Sequence, residues 1–267
     1  MKEGPPNTRE PQTSEQELRT HSPEQIPLSE QLRGLIEYAD LSPEELRREL
    51  LNTIERIRHI EEVSRTEELT GLLNRRGFRE EVRQIEAIFA RERRDKKIDI
   101  STALLFLDLD GFKEVNETVG HACGDRGLQL IAEHVKGALR ESDFFARVGG
   151  DEFSIFLPES DEKGALEVAG KVRTVIENAV SEQLRREFPS YKGTLSASIG
   201  IVASDGTGVI DGKSDMSIEE IMKRADYASY VVKAAGKRGE LTLQGARETD
   251  ASGEFERDFL AGKELPR

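Results

Sequence analysis

The chain has a single cysteine, Cys123, so no disulfide can close within it. It has no apolar run of 18 residues, which excludes a membrane-spanning helix, and no short apolar core of the kind a secretory leader carries. These absences lead to the expectation of a reducing, cytoplasmic setting. Cations are in the minority: 39 Lys and Arg stand against 52 Asp and Glu, a formal charge of −13. That balance argues against a nucleic-acid surface dominated by phosphate contacts, so any nucleotide must be gripped by a few local lysines and arginines. No internal repeat is visible.

What is present is unevenly spread. Residues 1–27 hold five of the nine prolines among Ser, Thr, Gln and Glu, and are expected to be a disordered segment, since they bury too little apolar surface to offset ordering entropy. Residues 28–65 are expected to be a helical dimerisation or signalling segment, with a short helix over Leu28–Tyr38 and a second one capped at Ser42-Pro43. The apolar residues Leu46, Leu50, Ile54, Ile57, Ile60 and Val63 fall at intervals of 4, 4, 3, 3 and 3, close to a heptad seam. Two readings stand: a seam between two subunits, or a helix packed on its own domain.

From 66 to 243 the periodicity predicts one domain, and 244–267 reads as a flexible tail. Helices are expected over Arg75–Arg94, from Asn116 or Gly124 to Leu139, over Glu162–Val180 and over Ser217–Ala235. Strands are expected at Ala103–Asp108, on either side of Gly149-Gly150, at Thr194–Ala203 and near Leu241. The core order β-α-β-β-α-β predicts an α+β fold with a ferredoxin-like antiparallel sheet and its helices on one face.

The densest signal is Arg147-Val148-Gly149-Gly150-Asp151-Glu152-Phe153, two adjacent carboxylates on a glycine turn between two apolar stretches. Around it lie Leu69-Thr70-Gly71-Leu72-Leu73-Asn74-Arg75-Arg76, Asp108-Leu109-Asp110-Gly111-Phe112-Lys113, Asn116, Gly120-His121 and Gly124-Asp125. Ser196-Ala197-Ser198-Ile199-Gly200 and Ala225-Asp226 follow. As an ordered set over about residues 66–240 these motifs resemble the GGDEF family, the bacterial diguanylate cyclases that join two GTP into cyclic di-GMP. The resemblance implies the nucleotidyl-cyclase version of the fold.

It also implies roles. Asp108 and Asp151, with the backbone carbonyl of Leu109, are expected to bind Mg2+ (or Mn2+), an oxygen-seeking ion that a site so sparse in protein ligands would share with phosphates and water. Glu152 is expected either to activate the 3′-hydroxyl or to hold a second metal. Lys113, beyond Gly111-Phe112, together with Lys233 and Lys237, is expected to meet the phosphates. Asn116 and Asp125 match the guanine-reading pair, and Phe112, Gly149 and Gly150 border the nucleotide. Plainer readings stand beside these: acidic residues that merely end strands, lysines that merely suit a helix C-terminus, Asn and Asp that merely form caps and turns. His121 and Cys123 read as loop packing and an inert thiol.

Arg140 and Asp143 have the RxxD spacing of the family's product-inhibition site, where the arginine fork and the carboxylate can meet guanine. Lys171 or Arg173 is the candidate for the helping cation from the next helix, and a C-terminal arginine with a loop aspartate is the plainer alternative. The chain departs from the family pattern at Glu67, Glu117, Ser229, Val232 and Lys237-Arg238, positions that touch packing and phosphate affinity. The expected function is condensation of two GTP into cyclic di-GMP with release of two pyrophosphates, by a homodimer whose product inhibits it. The rival is a degenerate domain that receives cyclic di-GMP or GTP without turnover.

Overall fold

The computed structural model describes residues 42, 44, 47–48, 50–54, 65–96, 98–205, 216–236, 238–250 and 253–262. The chain divides into two units, Met1–His59 and Ile60–Arg267. In the first unit residues 50–54 are helical, with Leu50, Leu51 and Ile54 exposed. The expected disordered segment 1–27, the helix at 28–38 and the seam positions Leu46, Ile57, Ile60 and Val63 lie outside the described residues.

The second unit is built around β1 (Thr102–Asp110), whose run of apolar residues is buried on both faces. Such a continuous run suits a central strand covered from both sides. The sheet order is β2-β3-β1-β4-β5, with β2 at Phe144–Arg147, β3 at Glu152–Pro158, β4 at Ser196–Ala203 and β5 at Glu240–Thr242. β1 pairs antiparallel with β3 and β4, and β2 with β3, which is the ferredoxin-like core; β5 adds a parallel edge to β4.

Alternation along the strands separates two apolar layers. Leu105, Leu107, Phe153, Ile155, Ile199 and Ile201 meet α3 (His121–Lys136) and α4 (Glu162–Val175) on one face. α4 runs on through a π-helical turn, Ile176–Val180, into α5 (Ser181–Glu187), longer than the expected Glu162–Val180. Leu104, Phe106, Phe156 and Val202 meet α1 (Arg75–Lys96) and α6 (Ile218–Ala234) on the other. The expectation of helices on one face is therefore corrected: α1 and α6, which lie outside the β-α-β-β-α-β core, cover the second face through Phe78, Val82, Ile221 and Ala225.

α6 begins where the sequence marks it, with Ser217 and Glu220 in a reciprocal capping box. It lies unusually close to the sheet. A Cβ built on Gly200 would stand 1.8 Å from the Ala225 carbonyl oxygen and 2.4 Å from the Ser229 amide, so only glycine admits the helix backbone there.

A seven-residue helix, α2 (Phe112–Thr118), links β1 to α3. The expected flexible tail at 244–267 is contradicted over its described part. α7 (Leu243–Thr249) and α8 (Glu254–Leu260) are helical, Leu243 and Ala246 are buried, and Phe259 packs on Tyr227 and Tyr230.

Candidate active site

The register of β1 and β3 sets Asp108 directly opposite Glu152, and the Leu109 amide donates to the Asp151 carbonyl at 3.1 Å. Three acidic residues from two parts of the sequence thus share one end of the sheet. The turn before Glu152 is tied by the Val148 and Gly149 amides, which donate to the Glu152 carbonyl at 2.9 and 3.3 Å. The strands expected on either side of Gly149-Gly150 pair antiparallel, and neither glycine of the turn has a positive φ. Gly149 is needed for space: a Cβ there would lie 2.1 Å from Oε2 of Glu152. At Gly150 a Cβ would meet nothing within 4 Å, so that side of the turn is open.

α6 contributes across the sheet. Lys233 Nζ lies 2.5 Å from Oδ1 of Asp108. Asp226, two turns earlier on α6, adds a fourth carboxylate. Arg75, at the start of α1, donates from Nε to the Val148 carbonyl at 2.9 Å and brings Nη2 to 3.5 Å from Glu152.

Burial pushes the Asp108 carboxyl above its ordinary range, against the pull of Lys233. Burial, then the Asp108 charge, does the same to Glu152. Asp226 is pushed up to about 7 by burial and by the charges of Glu152 and Asp108. Negative charge is crowded here beyond what Lys233 and Arg75 neutralise, which is the electrostatic condition a divalent cation relieves.

Among the described residues no three His, Cys, Asp or Glu side chains already form a metal cage. The hard oxygen donors of Asp108, Asp151 and Glu152 nonetheless suit a site that a triphosphate would complete.

The other predicted contacts lie on α2 and α3. The Asn116 carboxamide packs on Gly124, its Oδ1 2.0 Å from where a Cβ of residue 124 would stand, which brings it beside exposed Asp125. Lys113 is exposed, 3.7 Å from Glu117. Phe112 is half-buried against the α3 layer. Lys237 lies outside the described residues. His121 is exposed, while Cys123 is buried and its thiol is pushed up by that burial, as an inert thiol should be.

Arg140 and Asp143 are held in one loop, the Arg140 amide donating to Asp143 Oδ2 at 2.8 Å. They line a cleft of about 370 Å3 with Lys136, Glu141, Phe144 and Phe145. Lys171 does not: its ammonium donates to the Ala138 carbonyl at 2.6 Å, where it satisfies a free group near the end of α3. Arg173 is committed to Glu240 at 2.8 Å and Glu177 at 3.2 Å. The cation that joins Arg140 in the cleft is Lys136.

Sequence reasoning did not assign roles to Arg75, Arg147, Glu67 or Asp226. Arg147 donates twice to the Gly150 carbonyl, at 2.8 and 3.1 Å, and pairs with Glu67 at 3.0 Å. Glu67 also accepts from the Leu69 and Thr70 amides and the Thr70 hydroxyl. Burial opposes its charge, but these bonds and Arg147 outweigh it and hold the carboxyl below the ordinary range. A strut therefore runs from the turn after residue 65 to the carbonyl just before Asp151. The signal was present in Arg75 and Asp226, which stand inside quoted motifs, but their target is set by the fold.

Residues 64–239 match the family model described as "Diguanylate cyclase, GGDEF domain". Diguanylate cyclase DgcP of Pseudomonas aeruginosa is 33% identical over 172 residues, which is 64% of this chain and 23% of that protein. Cyclic di-GMP phosphodiesterase PdeB of Shewanella oneidensis is 32% identical over 169 residues, 63% of this chain and 17% of that protein. The chain thus spans less than a quarter of the length of these relatives. The solved GGDEF domain of YfiN (TpbB) from P. aeruginosa superposes with a TM-score of 0.55 at 28% identity, covering 71% of this chain and 99% of that one.

Proposed function

The chain belongs to the GGDEF-domain family, and from that premise we propose that it is a diguanylate cyclase that condenses two GTP into cyclic di-GMP and two pyrophosphates. The observation that carries this reading is the meeting of Asp108, Asp151 and Glu152 at one end of the sheet with Lys233 reaching in from α6.

Asn116 and Asp125 hold guanine, the aspartate accepting from donors that adenine lacks; a wrong base would leave it unpaired. Lys113, Lys233 and Lys237 take the phosphates, and the open side of Gly150 lets the triphosphate approach the turn. Asp108, Asp151, Glu152 and the Leu109 carbonyl would hold Mg2+ (or Mn2+), which when bound supplies neutralisation of the developing phosphate charge. Glu152, with Arg75 Nη2 3.5 Å from its carboxylate, orients the 3′-hydroxyl or accepts its proton. Each subunit holds one GTP, so the reaction requires two copies face to face. Product returns to the Arg140–Asp143 cleft, with Lys136 as the second cation, and slows the enzyme.

A receptor reading is favoured by one feature. Ser229 stands on α6 where the family generally has leucine, and its hydroxyl is buried with no hydrogen-bond partner among the described residues, a defect in the helix that carries Lys233. Incubating purified protein with GTP and Mg2+ and measuring cyclic di-GMP by mass decides between them. Product formation supports the cyclase; tight GTP or cyclic di-GMP binding with no product overturns it in favour of the receptor.

A further inference from the structure

We infer that the helical pair α7–α8 is a positioning element of the active site, acting through α6 on Lys233. The inference deepens the cyclase reading and rests on it only for its activity arm. Both helices lie beyond the matched family domain, which ends at residue 239, while Tyr227 and Lys233 lie within it.

The physical case begins with Tyr227. It sits beside Asp226 on α6, is fully buried, and its hydroxyl donates to Asp250 Oδ2 at 2.9 Å. Asp250, itself buried at the end of α7, accepts the Glu256 amide of α8 through the same oxygen at 3.0 Å. A buried hydrogen bond of this kind favours one docking position, because a slip that breaks it leaves the Tyr227 hydroxyl unsatisfied in the core. Phe259 of α8 adds ring contacts to Tyr227 and to Tyr230, each with centroids 5.8 Å apart. The Arg247 guanidinium, on α7, grips Glu256 on α8 with bonds of 2.8 and 3.0 Å, so the two short helices move as one.

α6 is thus held from two sides. Gly200 fixes how close it lies to β4, and the tail fixes its slide and roll. Those two freedoms decide whether Lys233, almost two turns beyond Tyr227, meets Asp108. The first turn of α6 is tied to α1 by Glu219, which pairs with Arg79 and Arg83; farther along, toward Lys233, packing alone would let the helix shift along its ridges, and the buried Tyr227 hydrogen bond removes that adjustment. Tyr227, Asp250 and Phe259 are accordingly positioning residues: they reach the site only through α6.

The test uses the full chain and reads Lys233 directly. Wild type, Tyr227→Phe, Phe259→Ala and Phe259→Tyr are acylated briefly with acetic anhydride while folded, and labelling of Lys233 is measured by peptide mass against Lys113, whose side chain is 87% exposed against 28% for Lys233. Tyr227→Phe and Phe259→Ala should raise the Lys233-to-Lys113 ratio about threefold, the scale of a loosened ion pair, with turnover at saturating GTP falling alongside. Phe259→Tyr keeps the ring and should leave the ratio at the wild-type value. Tyr227→Phe removes only a hydroxyl, so it carries the test alone if Phe259→Ala does not fold. An unchanged ratio in a folded Tyr227→Phe protein overturns the inference. Because labelling needs no GTP, a wild type that makes no cyclic di-GMP would sink the cyclase reading and leave this result standing.

Discussion

At the scale of single residues, the site is a crowd of carboxylates held by two cations. Asp108→Asn or Asp151→Asn keeps shape and removes charge, so each should cut cyclic di-GMP synthesis by about two orders of magnitude or more while the melting temperature holds, as measured by product mass and by thermal unfolding. Retained synthesis in either variant would remove that residue from the chemistry. Asp226 makes a different prediction, about pH. Its carboxyl is raised from 3.8 to about 7, so between those values the folded state keeps a proton that the unfolded state has lost. Stability must then fall as pH rises through that window, because the folded state binds more protons there. Asp108 and Glu152, also raised, push the same way. The metal-free wild type should lose melting temperature between pH 5 and pH 8, and Asp226→Asn should lose less; parallel curves would show that Asp226 does not carry the strain.

At the scale of elements, two glycines separate chemistry from architecture. At Gly149 an added Cβ meets the Glu152 carboxylate, a side-chain end that can swing away; at Gly200 it meets the backbone of α6. Gly149→Ala should therefore lower turnover with little loss of stability, whereas Gly200→Ala should cost about 1–3 kcal/mol in denaturant unfolding, because a whole helix must lift. Equal stability losses would contradict this division. The same contrast explains what could be read in advance. β1 was legible as an apolar run, α6 as a helical period over Ser217–Ala235, and the Asp151-Glu152 turn as charge on a hairpin, since each is a local pattern. The tail was not legible. α7 and α8 are seven residues each, too short to stand by propensity, and take their order from Tyr227 and Tyr230, which precede them by more than ten residues. Lys171 was a candidate from the family resemblance, and no local pattern could show that its ammonium meets the Ala138 carbonyl, two residues before Arg140.

At the scale of the molecule, the proposed reaction cannot finish in one copy, since on the proposed reading each domain offers one guanine-reading pair, Asn116 and Asp125, and one set of metal carboxylates. Two copies must meet, and each carries a formal charge of −13. Like charge opposes the meeting, and salt screens it over a Debye length of about 10 Å at 0.1 M ionic strength. Specific activity should therefore rise with enzyme concentration before reaching a plateau, and moderate salt should move that rise to lower concentration. Each point requires saturating GTP, so that weaker phosphate contacts in salt do not mask the effect. The exposed Leu50, Leu51 and Ile54 of the N-terminal unit supply a second handle. Replacing all three with serine should shift the rise to higher enzyme concentration if that helix assists pairing, while the plateau turnover stays put, because none of the three belongs to the site. Sedimentation run beside the assay supplies the check. A protein that stays monomeric and keeps a flat specific activity across about a thousandfold dilution would remove pairing from the mechanism, and with it the two-copy cyclase.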